Sequence, residues 1–250
     1  MSLLQTDPAR PDSLAADDPQ AAVTPGDRLL DGMEMDVEEF LRRYEVVEQQ
    51  TGVPLDAELI FGVVYVYSPP SFMGHGKPSL VTSAVLAAYM VETPGVDGTA
   101  ESRVQPPGIG LVGADGVLAI LPEYGGQMVR QGDGELDGVP ELCIEIANTS
   151  LRTDTTVKRD FYEQAGVQEY LIHDVRGKRL LFYVRNGERL VESTTNDGVV
   201  RSQTFPGLWI DEGALVSRDL AGAIKTVQTG LATPEHAAFV NELASRREAK

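Results

Sequence analysis

The sequence predicts a single mixed α/β domain, and three observations carry that expectation. Two short runs, 116–121 (GVLAIL) and 142–147 (LCIEIA), are almost wholly apolar, as central strands covered on both faces are. Segments near 77–92 and 155–165 instead repeat their apolar residues with helical spacing. At 250 residues and 42% hydrophobic content, the chain can bury a substantial core.

In chain order, residues 1–31 carry Pro8, Pro11, Pro19 and Pro25 among scattered Asp and Ala, and read as a disordered arm. The body is expected over 32–215 and a C-terminal helical tail over 216–250. A helix should start at Asp36, a good N-cap with Glu39 three residues on. It continues through Phe40, Leu41, Tyr44 and Val47 to a stop at Gly52. Residues 57–68 alternate and are rich in Val and Tyr, so they read as a strand pair, or one bent strand bulged at Gly62. The helix near 77–92 places Leu80, Val81, Ala84, Val85, Ala88 and Tyr89 on one face. Further strands are expected at 99–105, 116–121 and 142–147, with a surface loop over 122–138. Asp154 is the expected cap of the helix 155–165 and Gly166 its stop. Strands at 169–174, 179–185, 189–194 and about 199–204 follow. Thr233-Pro234-Glu235 opens a last helix, with Phe239, Val240 and Leu243 on its inner face.

Charge bounds the function. The chain holds 21 Lys and Arg against 38 Asp and Glu, a net charge of −17. The first 30 residues account for about −3 of it, so the body itself repels nucleic acid. Any such partner must meet a local basic patch or bound cations. No run of about 18 apolar residues suggests a membrane span. The single cysteine, Cys143, has no intrachain disulfide partner, and with no secretion signal a reducing cytoplasm is the expected compartment.

Two misplaced charges point to a site. Glu145 lies inside an apolar strand, beside the small residues Cys143 and Ala147 on one face. Lys158 shares a helix face with Phe161, Tyr162 and Ala165, while Arg159, Asp160 and Glu163 point the other way. A charge in either place costs several kcal/mol unless it is paired. The plain alternatives are a lysine whose stem lies along an apolar stripe and an edge-strand glutamate. Asp115 precedes the strand 116–121, Glu58 starts the first strand, and His75 sits between two glycines. His173 and His236 lack partners at a zinc spacing. Carboxylates that converge repel one another unless a hard cation such as Mg²⁺ joins them. Carboxylates, Mg²⁺ and a nearby Lys together make a recipe for phosphodiester hydrolysis.

The order Glu58-Leu59…Gly62, His75, Asp115, Pro140-Glu141-Leu142…Glu145-Ile146…Ser150…Asp154…Lys158…Tyr162…Gly166-Val167…Glu169-Tyr170…Asp174 resembles the Uma family of restriction endonuclease-like proteins, within the PD-(D/E)xK nuclease superfamily. The resemblance spans roughly 35–215 and takes in Phe205-Pro206-Gly207-Leu208. It implies a restriction endonuclease-like central mixed sheet flanked by helices. It implies Asp115 and Glu145 as metal ligands for Mg²⁺ or Mn²⁺, Glu58 as a further acid, and Lys158 as the catalytic lysine. The superfamily's usual lysine place, two residues after the glutamate, is Ala147 here, so the lysine moves to the next helix. The family's Pro-Asp pair is Ala114-Asp115.

The expected activity is Mg²⁺-dependent hydrolysis of nucleic acid, DNA first, in a bacterial cytoplasmic enzyme. Arg152, Arg159 and His75 are the expected substrate contacts, with Arg176, Lys178 and Arg179 as a further basic cluster. The alternative is a catalytically silent binding module on the same fold, working as a homodimer through its C-terminal helices. A third reading, an acid–base hydrolase built on Asp115 and Glu145, leaves Lys158 unexplained.

Overall fold

A computed structural model describes residues 20–67, 71–132, 136–195 and 197–249. Most of the arm expected over 1–31 lies outside them, but its end does not behave as an arm. Gln20 and Val23 are buried, Leu29 is fully so, and the Gln20 side-chain amide both donates to and accepts from the Leu29 backbone. Val23 and Leu29, with Phe40 and Val47, form a small core beneath helix α1 (Val37–Thr51). Asp36 caps that helix by accepting from the Glu39 N–H, and Gly52 ends it in the left-handed conformation.

Strands β1 (Ala57–Ile60) and β2 (Val63–Val66) form a hairpin. Phe61 and Gly62 both have positive φ, as a two-residue turn matching strand twist requires, so the strand pair holds and there is no bulge. Helix α2 (Lys77–Val91) buries Val81, Val85, Leu86 and Tyr89 but leaves Leu80 outside the expected face, 55% exposed. The strand expected at 99–105 is two: β3 (Val96–Thr99) and β4 (Ser102–Val104), broken where Glu101 takes a positive φ. Strand β5 (Gly110–Ala114) has no counterpart in the sequence reading. Asp115 then leads into β6 (Gly116–Ile120). The expected loop 122–138 contains a short ladder, β7 (Val129–Arg130) with β8 (Leu136–Asp137), and is anchored by Glu141, whose carboxylate accepts from Ile120 N and Gln127 N.

Strand β9 (Leu142–Ala147) leads into a helix that begins earlier than expected. It runs as α3 (Leu151–Thr153), a wide π turn over Asp154–Lys158, and α4 (Arg159–Ala165), ending at left-handed Gly166. Asp154 is therefore not the cap. It sits inside the helix and accepts from the Ser150 hydroxyl at 2.6 Å, while Ser150 takes the N-terminal position. Strands β10 (Glu169–Asp174), β11 (Arg179–Asn186), β12 (Arg189–Glu192), β13 (Val199–Arg201) and β14 (Trp209–Asp211) follow, then helices α5 (Glu212–Ser217), α6 (Leu220–Leu231) and α7 (Pro234–Glu248).

Two main sheets result. One has the order β2-β1-β5-β4, and the other β12-β11-β10-β9-β6-β3, where only β9 and β10 run parallel. The chain passes from the first sheet to the second at Asp115. As the alternation predicted, Leu142 and Ile144 face one core, with α2, α6 and α7, while Cys143 and Ala147 face the other, with Phe161 and Tyr162. The C-terminal segment is no loose tail, since Val227, Phe239 and Leu243 complete the first core. Gly207, at φ +90°, lets the Phe205-Pro206-Gly207-Leu208 turn lie against His236, where a Cβ would come within 2.7 Å of that side chain. No helix among the described residues is long and apolar enough to cross a membrane.

Candidate active site

Where the two sheets meet, a cleft of about 730 Å³ opens over Glu58, Asp115, Glu145 and Lys158. Four elements contribute one side chain each. Glu58 comes from β1, Asp115 from the crossing between sheets, Glu145 from the centre of β9, and Lys158 from the end of the π turn. The face calculation places Lys158 beside Phe161 and Tyr162, which are fully buried and fix the helix against the sheet.

Lys158 is the hub. Its Nζ lies 2.8 Å from Glu58 Oε1 and 3.1 Å from Glu145 Oε1, and it donates to the Gly113 carbonyl at 3.2 Å. All three charged groups are 4–5% exposed. The carboxylates are held independently of the lysine. Tyr67 donates to Glu58 Oε2 at 2.7 Å and Gly113 N–H to Glu58 Oε1 at 2.9 Å, while Tyr162 donates to Glu145 Oε1 at 2.7 Å. Glu145 Oε2 accepts no hydrogen bond from the described residues. Asp115 joins the group through the backbone, its Oδ2 accepting from Ile146 N–H at 2.6 Å, next to Glu145. Its Oδ1 meets His75 Nε2 at 2.9 Å.

The electrostatics show a surplus of negative charge. Burial pushes the Glu145 carboxyl well above the ordinary range, and Asp115, Asp154 and Glu58 push it further, against the pull of Lys158. Burial draws Lys158 down, but Glu145 and Glu58 more than offset this and hold it well above an ordinary lysine. The two upward shifts are consistent, because one ammonium among several carboxylates stays charged while the least solvated carboxylate holds its proton more tightly. Burial also lifts Asp154, to about 6. The hydrogen bond to Asp115 raises His75.

Among the expected substrate contacts, His75 lines the cleft. Arg152 and Arg159 do not line it, and Arg159 is paired with Asp160 at 2.9 Å. Ala147, two residues after Glu145, is fully buried. The sequence reading did not single out Tyr67, Gly113 or the Tyr162 hydroxyl as parts of the site. Tyr162 was detectable four residues after Lys158 on the same face. Tyr67 was detectable once the hairpin register, which pairs Glu58 with Tyr65, was fixed.

Residues 37–214 match the family Uma2, described as "Putative restriction endonuclease". The chain belongs to that family. A solved structure described as a "putative nuclease belonging to DUF820", from Anabaena variabilis ATCC 29413, is similar in fold. The TM-score is 0.56 and the identity 16%, over 74% of this chain and 98% of that one. No curated protein matches the chain. The Uma2 match spans the whole site, from the helix before Glu58 to the strand after the Phe-Pro-Gly-Leu turn, and the structural likeness bears out the restriction endonuclease-like mixed sheet.

Proposed function

We propose that this Uma2 protein is a divalent-metal-dependent nuclease that hydrolyses phosphodiester bonds at the Glu58–Asp115–Glu145–Lys158 cleft. The observation that carries the reading is Lys158, buried in an open cleft between two carboxylates, one from each sheet, with a third carboxylate hydrogen-bonded beside them. A buried ion pair of this kind is poor value for stability alone, which favours a chemical reason for it.

Among the described residues, no three His, Cys, Asp or Glu side chains gather closely enough to hold an ion by themselves. Mg²⁺ does not need three. It keeps several waters and is commonly held by one or two carboxylates and the substrate's phosphate. Asp115 and Glu145 fit that requirement, because Asp115 bonds the Ile146 N–H, next to Glu145, and Glu145 Oε2 has no donor among the described residues. When bound there, a divalent ion supplies Lewis-acid stabilisation of a phosphoryl oxygen and makes a water more acidic.

The chain's own residues do the rest. Tyr162 and Ile146 N–H set the orientations of Glu145 and Asp115, and Tyr67 and Gly113 set that of Glu58. Lys158 stays protonated and offers positive charge to the phosphoryl oxygens as negative charge builds on them.

The test is a nuclease screen over single-stranded and duplex DNA and RNA, in Mg²⁺ and Mn²⁺, with Glu145→Ala and Lys158→Ala as controls. Cleavage by the parent that both substitutions abolish is the expected result. Cleavage surviving either substitution, or no cleavage of any substrate, would overturn the proposal.

A further inference from the structure

The walls of the cleft are strongly unbalanced in charge. Asp56, Glu58, Glu101, Asp115 and Glu145 all line it. Of the cations among the described lining residues, Lys158 is committed to Glu58 and Glu145, and His75 to Asp115. Arg103 makes no ion pair or hydrogen bond with its side chain among the described residues. Its guanidinium lies over the Tyr44 ring, 4.9 Å from the centroid.

The register says where Arg103 points. In the β4–β5 ladder Arg103 pairs with Gly113. Directly opposed residues in an antiparallel pair share a face. In the β1–β5 ladder Leu59 pairs with Leu111, so Gly113 and Arg103 lie on the face that packs on α1 and Tyr44, while the Glu58 carboxylate turns in to accept from the Gly113 N–H. Arg103 therefore stands one strand away from the backbone that holds Glu58 and Lys158, about 5 Å across the sheet. Arg103 and Tyr44 both line the cleft, so the guanidinium reaches it from the α1 side.

We propose that Arg103, laid flat on Tyr44, is the specificity-determining contact of the cleft and selects single-stranded nucleic acid. The proposal rests on the nuclease reading of the same cleft. A guanidinium backed by an aromatic ring keeps its outer plane free to stack on a base and its N–H edge free for a phosphate. A duplex brings one phosphate charge for about every 1.7 Å of axis, against five carboxylates and one uncommitted cation. A single strand brings about half that density and unstacked bases.

The test measures fluorescence anisotropy of a labelled oligothymidylate and of a duplex of equal length, in Mg²⁺ at rising salt, with Glu145→Gln as parent to prevent hydrolysis. The parent should bind the single strand more tightly. Arg103→Ala should weaken that binding about tenfold and flatten the slope of log affinity against log salt by about 0.7. Arg103→Lys should restore the slope but not the full affinity, since it keeps the charge and loses the stacking plane. An Arg103→Ala variant that binds the strand as its parent does, with the same slope, would overturn this inference and leave the nuclease reading standing. So would a parent that prefers the duplex. A parent and wild type that bind no nucleic acid would overturn both.

Discussion

Replacing Lys158 with methionine isolates what the buried ammonium contributes. The substitution keeps most of the side chain's volume and leaves Glu58 and Glu145, 5% and 4% exposed, facing each other without a cation. Removing one partner of a buried ion pair costs about 3–5 kcal/mol. Protonation limits the cost, because holding a proton on a carboxyl of ordinary pKa at about pH 8 takes about 5 kcal/mol. The burden falls on Glu145, whose carboxyl burial already pushes well above the ordinary range. Losing Lys158 raises it further, and a carboxyl raised in the folded state contributes stability at low pH that is lost as pH rises through its folded pKa. The variant should therefore lose about 3–5 kcal/mol at about pH 8 and only about 1–2 kcal/mol at about pH 5.5. Urea unfolding followed by the fluorescence of Trp209, the only tryptophan, measures both values. Equal losses at the two pH values, or a loss below about 1 kcal/mol at the higher one, would refute the reasoning.

Glu145→Gln should behave differently, costing about 1 kcal/mol or less in the same assay, since Tyr162 and Lys158 keep an oxygen to donate to and Lys158 keeps Glu58. Asp154 is buried, its Oδ1 has no hydrogen-bond partner among the described residues, and its pKa is raised from 3.8 to about 6. Its contribution is present below 3.8 and lost as pH rises to about 6, so Asp154→Asn should flatten the stability profile across that window in urea titrations. Leu243→Ala should cost about 2–5 kcal/mol in thermal or urea unfolding, because this fully buried side chain belongs to the main core and not to a detachable tail. A loss near zero would show that the last helix folds apart from the domain.

Much of the fold was legible in the sequence because its signals were local. Asp36 and Gly52 bound α1, Gly166 stopped α4, and the apolar runs 116–121 and 142–147 announced the central strands. Strand β5 was not legible, since two glycines in Gly110–Ala114 weaken any strand signal, and those positions are set by neighbours distant in sequence. At Gly110 a Cβ would collide with the Leu59 carbonyl, and Gly113 gives its backbone to both Glu58 and Lys158. Asp154 misled because an aspartate before an apolar helical stripe looks like a cap, whereas Ser150 had already opened the helix. Within the site, the charges out of place in β9 and the following helix were readable. Which of them touch was not, because that depends on how the two sheets meet. The family resemblance named Asp115 and Glu58, and periodicity alone did not.

That meeting of sheets gives Lys158 a mechanical meaning. Glu58 and Gly113 belong to the four-stranded sheet, and Glu145 belongs to the six-stranded one. The ammonium contacts all three, and Asp115, where the chain crosses, clasps the Ile146 N–H. The lysine thus acts as a tie rod across a seam, holding a carboxylate from each sheet. A ligand that draws on Glu58 or Glu145 therefore competes with a contact that also joins the two sheets.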